Sequence, residues 1–277
     1  MLIPLTDTVR KIFIAGLILI LPIIANAQCV MLENGFAHND YLHKRPLLDA
    51  ENNGYTHIEA DIFLHHNKLV VAHINPYFKG KRTLENLYLK PLLAQITANN
   101  GCVYQGHKEP VTLMIDIKTD ANKTYAALED VLEKYKSILS SYDNGNVTTG
   151  AVTIVLSGHK PYDEVKAEKS RLVFIDEDLR KVDRDTVANV ARMASCKYSK
   201  LLKWKGNGLI SPRERLRLLN YVTIAHKNGD QVRLWASPDN KAVWKEILSC
   251  GVDLINTDKL AALKDFLVAQ PARQTAN

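Results

Sequence analysis

Eight short apolar runs punctuate the chain, and stretches of helical periodicity separate them. They predict strands over residues 34–38, 57–63, 111–118, 152–157, 172–176, 199–204, 232–236 and 254–257. Strands that alternate with helices pair in parallel through right-handed crossovers. Eight such units close into a single α/β domain, a (β/α)8 TIM barrel of about 250 residues. A doubly wound open sheet competes with this reading, but no G-x-G-x-x-G follows the first strand. The 277 residues are therefore read as one barrel over 28–277 behind a leader over 1–27. A small extra hairpin, residues 68–73, is expected as an insertion after the second strand. Helix signals agree with the alternation. Ser211-Pro212-Arg213-Glu214 reads as a capping box with proline in the first turn, and Asp239 and Asp258 are expected to cap the last two helices.

The leader has its own signature. Arg10 and Lys11 precede an apolar run, 12–25, which closes in Ala25-Asn26-Ala27, a small-x-small pattern of the kind signal peptidase accepts. The run is shorter than the roughly 20 residues that span a bilayer, so cleavage after Ala27 and a secreted or periplasmic protein are expected. An uncleaved anchor is the alternative. Gln28 before Cys29 is too large for a lipobox. Export would permit disulfides among Cys29, Cys102, Cys196 and Cys250, which form no C-x-x-C. Barrel closure favours Cys29 with Cys250. The net charge of +6 comes without a run of basic residues interleaved with aromatics, so no nucleic-acid partner is expected.

Chemistry is expected where the strands stop being apolar, because barrels carry their sites at the C-terminal ends of several strands. The first strand ends in His38-Asn39-Asp40-Tyr41, the hairpin in His73, the third strand in Asp116-Ile117-Lys118. Glu59 and Asp61 share one face of the second strand. Two carboxylates on an inward face require a cation, and Asp116 on the neighbouring strand makes a third. Three carboxylates without a thiolate describe one hard divalent cation, Mg²⁺ or Ca²⁺. A metal-free carboxylate–lysine network is the structural alternative. His38 and His73 flank the cluster and suit proton transfer to and from a phosphorus centre, with Lys118 beside the anionic oxygens. His57, at the second strand's start, reads as a core residue.

Together these motifs resemble the phosphatidylinositol-phospholipase-C-like phosphodiesterase superfamily, which includes glycerophosphodiester phosphodiesterases and sphingomyelinase D. The branch named after altered inheritance of mitochondria protein 6 is similar in His38-Asn39-Asp40-Tyr41, Arg45-Pro46-Leu47, Glu59-Ala60-Asp61 and Asp116-Ile117-Lys118. The resemblance implies a phosphoric diester hydrolase with His38 and His73 as the acid–base pair and Glu59, Asp61 and Asp116 as metal ligands. It also implies substrate contacts from Asn39, Lys118, Trp235 and Asn256. Asn39-Asp40 stands where glycerophosphodiesterases carry Arg-Gly, and Asp116 where they carry Glu, so the head group stays open. The expected partner is a small phosphodiester or phospholipid, with peripheral membrane contact, and the expected state is a monomer. Attack by a hydroxyl adjacent to the phosphate, giving a cyclic product, is the implied route. Two other functions fit a barrel with these acids: a glycoside hydrolase using Glu59 and Asp116, and a binding protein that has lost turnover.

Overall fold

A computed structural model describes residues 30–76, 80–183 and 190–270. The expected leader with its cleavage site, and Cys29 of the expected disulfide, lie outside the described residues. Eight parallel strands close on themselves: β1 (Leu32–Ala37), β2 (Tyr55–His65), β3 (Val111–Ile117), β4 (Val152–Gly158), β5 (Val173–Asp178), β6 (Ala191–Lys197), β7 (Gln231–Trp235) and β8 (Leu254–Thr257). Each pairs with its successor, and β8 returns to β1 with Phe36 beside Asn256. The chain is a TIM barrel. Helices that include Lys90–Ala98, Ala121–Leu132, Pro212–Lys227, Lys241–Ser249 and Leu260–Val268 bury their apolar faces against the outside of the sheet.

The lumen explains where the site must be. Phe36, Met114, Val155, Phe174, Met193 and Leu254 form a separate apolar cluster, one residue from each of six strands. Strand side chains alternate, so the residue two positions later points the same way. Those successors are His38, Asp116, Ser157, Asp176, Ser195 and Asn256. A dry plug thus fills the barrel, and a polar layer sits directly above it at the C-terminal ends. The other two strands contribute Glu59 and Asp61 from β2 and Arg233 from β7.

Several expectations need correction. The sixth strand is Ala191–Lys197, not 199–204; Tyr198–Leu201 is instead a short helix. Strand β6 carries Arg192, Ser195 and Lys197 among small residues, so its apolar pattern is weak, and its neighbours β5 and β7 hold it in place. Of the residues 68–73 expected to form an extra hairpin, Lys68–Val71 is a strand that pairs antiparallel with the overhanging end of the 11-residue β2. Asn240, not Asp239, caps Lys241–Ser249, while Asp239 accepts from the Thr257 hydroxyl. Asp258 caps no helix; its carboxylate is taken by His38. Ser211 does cap Pro212–Lys227 by accepting from the Glu214 N–H, but Glu214 turns to the Lys203 N–H and the Ser211 hydroxyl. Cys102, Cys196 and Cys250 are free thiols.

Candidate active site

Glu59 and Asp61 are almost fully buried on β2, and Asp116 lies beside Asp61 in register on β3. One oxygen from each of the three carboxylates lies within 4.8 Å of the others. Lys118, just past β3, reaches across them, with Nζ 3.0 Å from Asp116 Oδ2 and 3.2 Å from Asp61 Oδ2. Burial raises the Asp61 carboxyl above its ordinary range; Tyr41 and Lys118 counter this in part, while Glu59 and Asp116 add to it. For Lys118, burial pulls its affinity for a proton down, but Asp116 and Asp61 outweigh it and the net direction is up.

The residues present fit a divalent cation. Asp116 Oδ1 is buried with no hydrogen-bond partner. Gly158, at φ +69°, leaves the space in front of that oxygen: a Cβ there would lie 2.0 Å from it. Three converging carboxylates, one orphaned oxygen and a side-chain-free approach make a hard, oxygen-lined cradle. Glu59, Asp61 and Asp116 would hold the ion.

The histidines flank this cluster on opposite sides. His38 directs Nε2 to Glu59 Oε2 at 3.5 Å and Nδ1 to Asp258 Oδ1 at 2.7 Å. Burial lowers its pKa, but the Asp258 hydrogen bond and the Glu59 and Asp258 charges more than reverse this, so the imidazole titrates above the usual value. His73 stands at the rim, its Nδ1 3.6 Å from Asp61 Oδ2 and 3.0 Å from the Tyr41 hydroxyl. The Ala72 N–H donates to the Asp61 carbonyl, which holds the segment before His73 against β2. Asn39 occupies a left-handed conformation, φ 49°, and donates its N–H to Glu59 Oε2 at 3.2 Å. Its amide donates to Asp258 Oδ1.

Asn256 and Trp235 occupy different levels. Asn256 is buried in the polar layer, where Oδ1 accepts from Arg233 Nη1 at 3.0 Å. Trp235 is 38% exposed at the mouth. Sequence reasoning missed three residues that the fold builds into the site. Arg233, 4% exposed, lies over the Phe36 ring at 4.2 Å and reaches Ser195, Glu59 Oε1 (3.4 Å), Asn256 and Asp176 (3.8 Å). Asp258 holds His38. The Tyr41 hydroxyl lies 2.7 Å from Asp61 Oδ2 and from Asn39 Oδ1. The signal for Arg233 was its spacing, two residues before Trp235 on one strand face. His57 is remote from this cluster, bonded to Gln231 at the other end of the barrel.

Above the polar layer lies a cavity of about 440 Å³, large enough for a small organic ligand. Its walls include His38, Glu59, Asp116, Lys118 and Trp235. A larger depression lined by Lys68, Lys123 and Lys134 lies outside the barrel and holds none of these groups.

Comparison with known proteins places these residues in a family. Residues 25–176 match the AIM6-like phosphodiesterase domain, and residues 231–261 match the glycerophosphoryl diester phosphodiesterase family. The first stretch contains both histidines, the three carboxylates and Lys118; the second contains Arg233, Trp235, Asn256 and Asp258. Altered inheritance of mitochondria protein 6 of Eremothecium gossypii is 29% identical over 265 residues, covering 83% of this chain and 68% of that protein. The homolog from Arthroderma benhamiae is 23% identical over 258 residues, covering 83% and 82%. The Saccharomyces cerevisiae protein is 27% identical over 268 residues, covering 81% and 68%. With more than half its length matched, the chain belongs to the family of the AIM6-like phosphodiesterase domain.

Proposed function

We propose that this chain is a metal-dependent phosphoric diester hydrolase, exported through its leader, which acts on a glycerophosphodiester or a phospholipid head group. The observation that carries this reading is the convergence of Glu59, Asp61 and Asp116 beside Lys118, between two histidines on different strand ends. Binding is the work of the polar layer: Lys118 faces the non-bridging oxygens, and Asn39 fixes Glu59 through its N–H. When bound, the Mg²⁺ or Ca²⁺ ion would offset negative charge that builds on phosphorus oxygens. One histidine removes a proton from the attacking hydroxyl and the other gives one to the departing alkoxide. Asp258 and Tyr41 hold the two rings in position.

A hydroxyl adjacent to the phosphate is the nucleophile in this reading, because a neighbouring group gains from proximity. Exposed Leu42, Ile74 and Leu209 lie in segments that follow β1, β2 and β6, and so on the catalytic side, which supports contact with a lipid surface. The glycosidase alternative is disfavoured because Lys118 ties Asp116 to Asp61, which leaves Asp116 no independent role as nucleophile or base. Phosphorus NMR on a glycerophosphodiester and its deoxy analogue tests the route. The expected result is a cyclic phosphate from the first and no cleavage of the second. Equal cleavage without a cyclic product would remove the neighbouring hydroxyl from the mechanism.

A further inference from the structure

Buried polar atoms are nearly always hydrogen-bonded, so those that are not mark what a site is built to receive. Three such atoms belong to consecutive strands of the barrel: Asp116 Oδ1 on β3, Ser157 Oγ on β4 and Asp176 Oδ1 on β5. Asp116 pairs with Ser157 in register, and Ser157 and Asp176 directly follow the paired residues Leu156 and Ile175. Ser157 is 5% and Asp176 6% exposed, and both line the cavity above the apolar plug. The cation of the proposed function accounts for Asp116. It leaves the Ser157 hydroxyl and Asp176 Oδ1, which have no hydrogen-bond partner among the described residues.

Charge is not what these two lack. Arg233 Nη2 stands 3.8 Å from Asp176 Oδ2, and Lys160 adds positive charge toward the same carboxylate. At 3.8 Å the arginine answers the charge without donating a hydrogen bond. Across the polar layer, Glu59, Asp61, Asp116 and Asp176 are balanced by Lys118, Arg233 and one divalent ion. What is missing is a neutral group that donates to Asp176 and bonds to Ser157. A carboxylate only accepts, whereas a serine hydroxyl both donates and accepts. An alcohol closes this set: its proton goes to Asp176 Oδ1, and its oxygen takes the Ser157 proton. Neighbouring strands lie about 4.8 Å apart, so one hydroxyl, or two on adjacent carbons, spans the pair. A quaternary ammonium has neither a donor nor an acceptor to offer here.

We propose that Ser157 and Asp176 form a hydroxyl-binding subsite, so that one of the two groups esterified to the phosphate is a polyol. This rests on the phosphodiesterase reading of the site and adds to it the class of the substrate.

The probes are the methyl esters of 3,4-dihydroxybutylphosphonate and butylphosphonate, which differ only in two hydroxyls and whose P–C bond resists hydrolysis. Calorimetric titration into the full-length protein, Ser157→Ala and Asp176→Asn gives a binding ratio within each protein, so a general loss of folded protein divides out. Hydrogen bonds to two buried groups, one of them charged, predict a preference of about tenfold or more for the diol in the wild type. The preference is expected to fall close to unity in Ser157→Ala and to drop in Asp176→Asn. Equal binding of the two probes by the wild type would overturn the proposal, as would a preference that survives in either variant. Denaturant unfolding of Ser157→Ala gives an independent readout. Its midpoint is expected at or above that of the wild type, because a buried hydroxyl without a partner is removed. A lower midpoint would give Ser157 a partner within the fold and refute its role as a ligand group. Phosphatidylglycerol and phosphatidylpropanol in phosphatidylcholine vesicles separate a lipid head group from a soluble diester as the source of the polyol. A diol preference on vesicles that both variants keep would place recognition outside the cavity and contradict the subsite. Binding needs no turnover, so absence of cleavage of bis(p-nitrophenyl) phosphate would refute the phosphodiesterase reading separately.

Discussion

Gly158 shows how closely single positions control this site. Its φ is +69°, and a Cβ at this position would come within 2.0 Å of Asp116 Oδ1, which leaves no room for a side chain. Gly158→Ala is expected to cost roughly 1–3 kcal/mol in denaturant unfolding and to weaken Mg²⁺ or Ca²⁺ binding by calorimetry. Unchanged values in both would show that Asp116 is not held by this backbone. Arg233→Met leaves Glu59 and Asp176 buried without their shared cation, a loss of about 3–5 kcal/mol when one partner of such a network is removed. A loss below about 1 kcal/mol in the same unfolding assay would deny the arginine that role. Burial lowers the pKa of His57 to about 4, with Gln231 only partly opposing. The unfolded chain therefore takes up this proton first as pH falls, so stability from the neutral ring is present above about 6.5 and lost toward about 4. His57→Gln is expected to flatten that part of the acid-unfolding curve by up to roughly 3 kcal/mol. Residues whose placement was legible from spacing, such as Glu59 and Asp61, are those whose charge on an inward strand face admits few explanations. Arg233 escaped notice because one arginine on a strand also reads as a solvent-facing residue, and only the closed barrel buries it.

Elements were legible in proportion to their apolar content. Strands β2, β3 and β4 have long buried runs, and the sequence locates them nearly as the structure does. Strand β6 has the polar sequence ARMASCK, and its identity comes from hydrogen bonding to β5 and β7 rather than from local preference. The overhang of β2 is equally a tertiary fact: it turns an apparent insertion into the support that carries His73 to Asp61. Helix starts were harder, because Asp239, Asn240 and Asp258 are all chemically able to cap and only the fold decides which one does. Ser211 is the cap of the longest described helix, Pro212–Lys227, which carries none of the site residues. Ser211→Ala is expected to lower stability by about 1 kcal/mol and Tm by roughly 2–4 °C, with phosphodiesterase turnover unchanged. A drop in turnover at constant stability would connect that helix to the site.

At the scale of the whole molecule, strand–helix alternation was sufficient to identify the closed barrel, and closure then brings β1, β2, β3, β7 and β8 to one mouth. The head group was not legible, because the cavity residues that follow β4, β5 and β6 carry no motif. A cation that binds only the folded barrel stabilises it by about 2.7 kcal/mol at a hundredfold excess over Kd. Thermal unfolding is therefore expected to shift upward with Mg²⁺ or Ca²⁺ in the wild type and not in Asp116→Asn. An equal shift in both proteins would place the ion elsewhere. The most direct measurement is turnover of bis(p-nitrophenyl) phosphate by the purified protein, first chelated and then reloaded with Mg²⁺ or Ca²⁺, beside Glu59→Gln, Asp61→Asn and Asp116→Asn. The expected result is cleavage that disappears with chelation, returns with the ion and is absent from all three variants. Cleavage that persists undiminished in chelated buffer, or in any one of the three variants, would contradict the metal-dependent site built by these carboxylates.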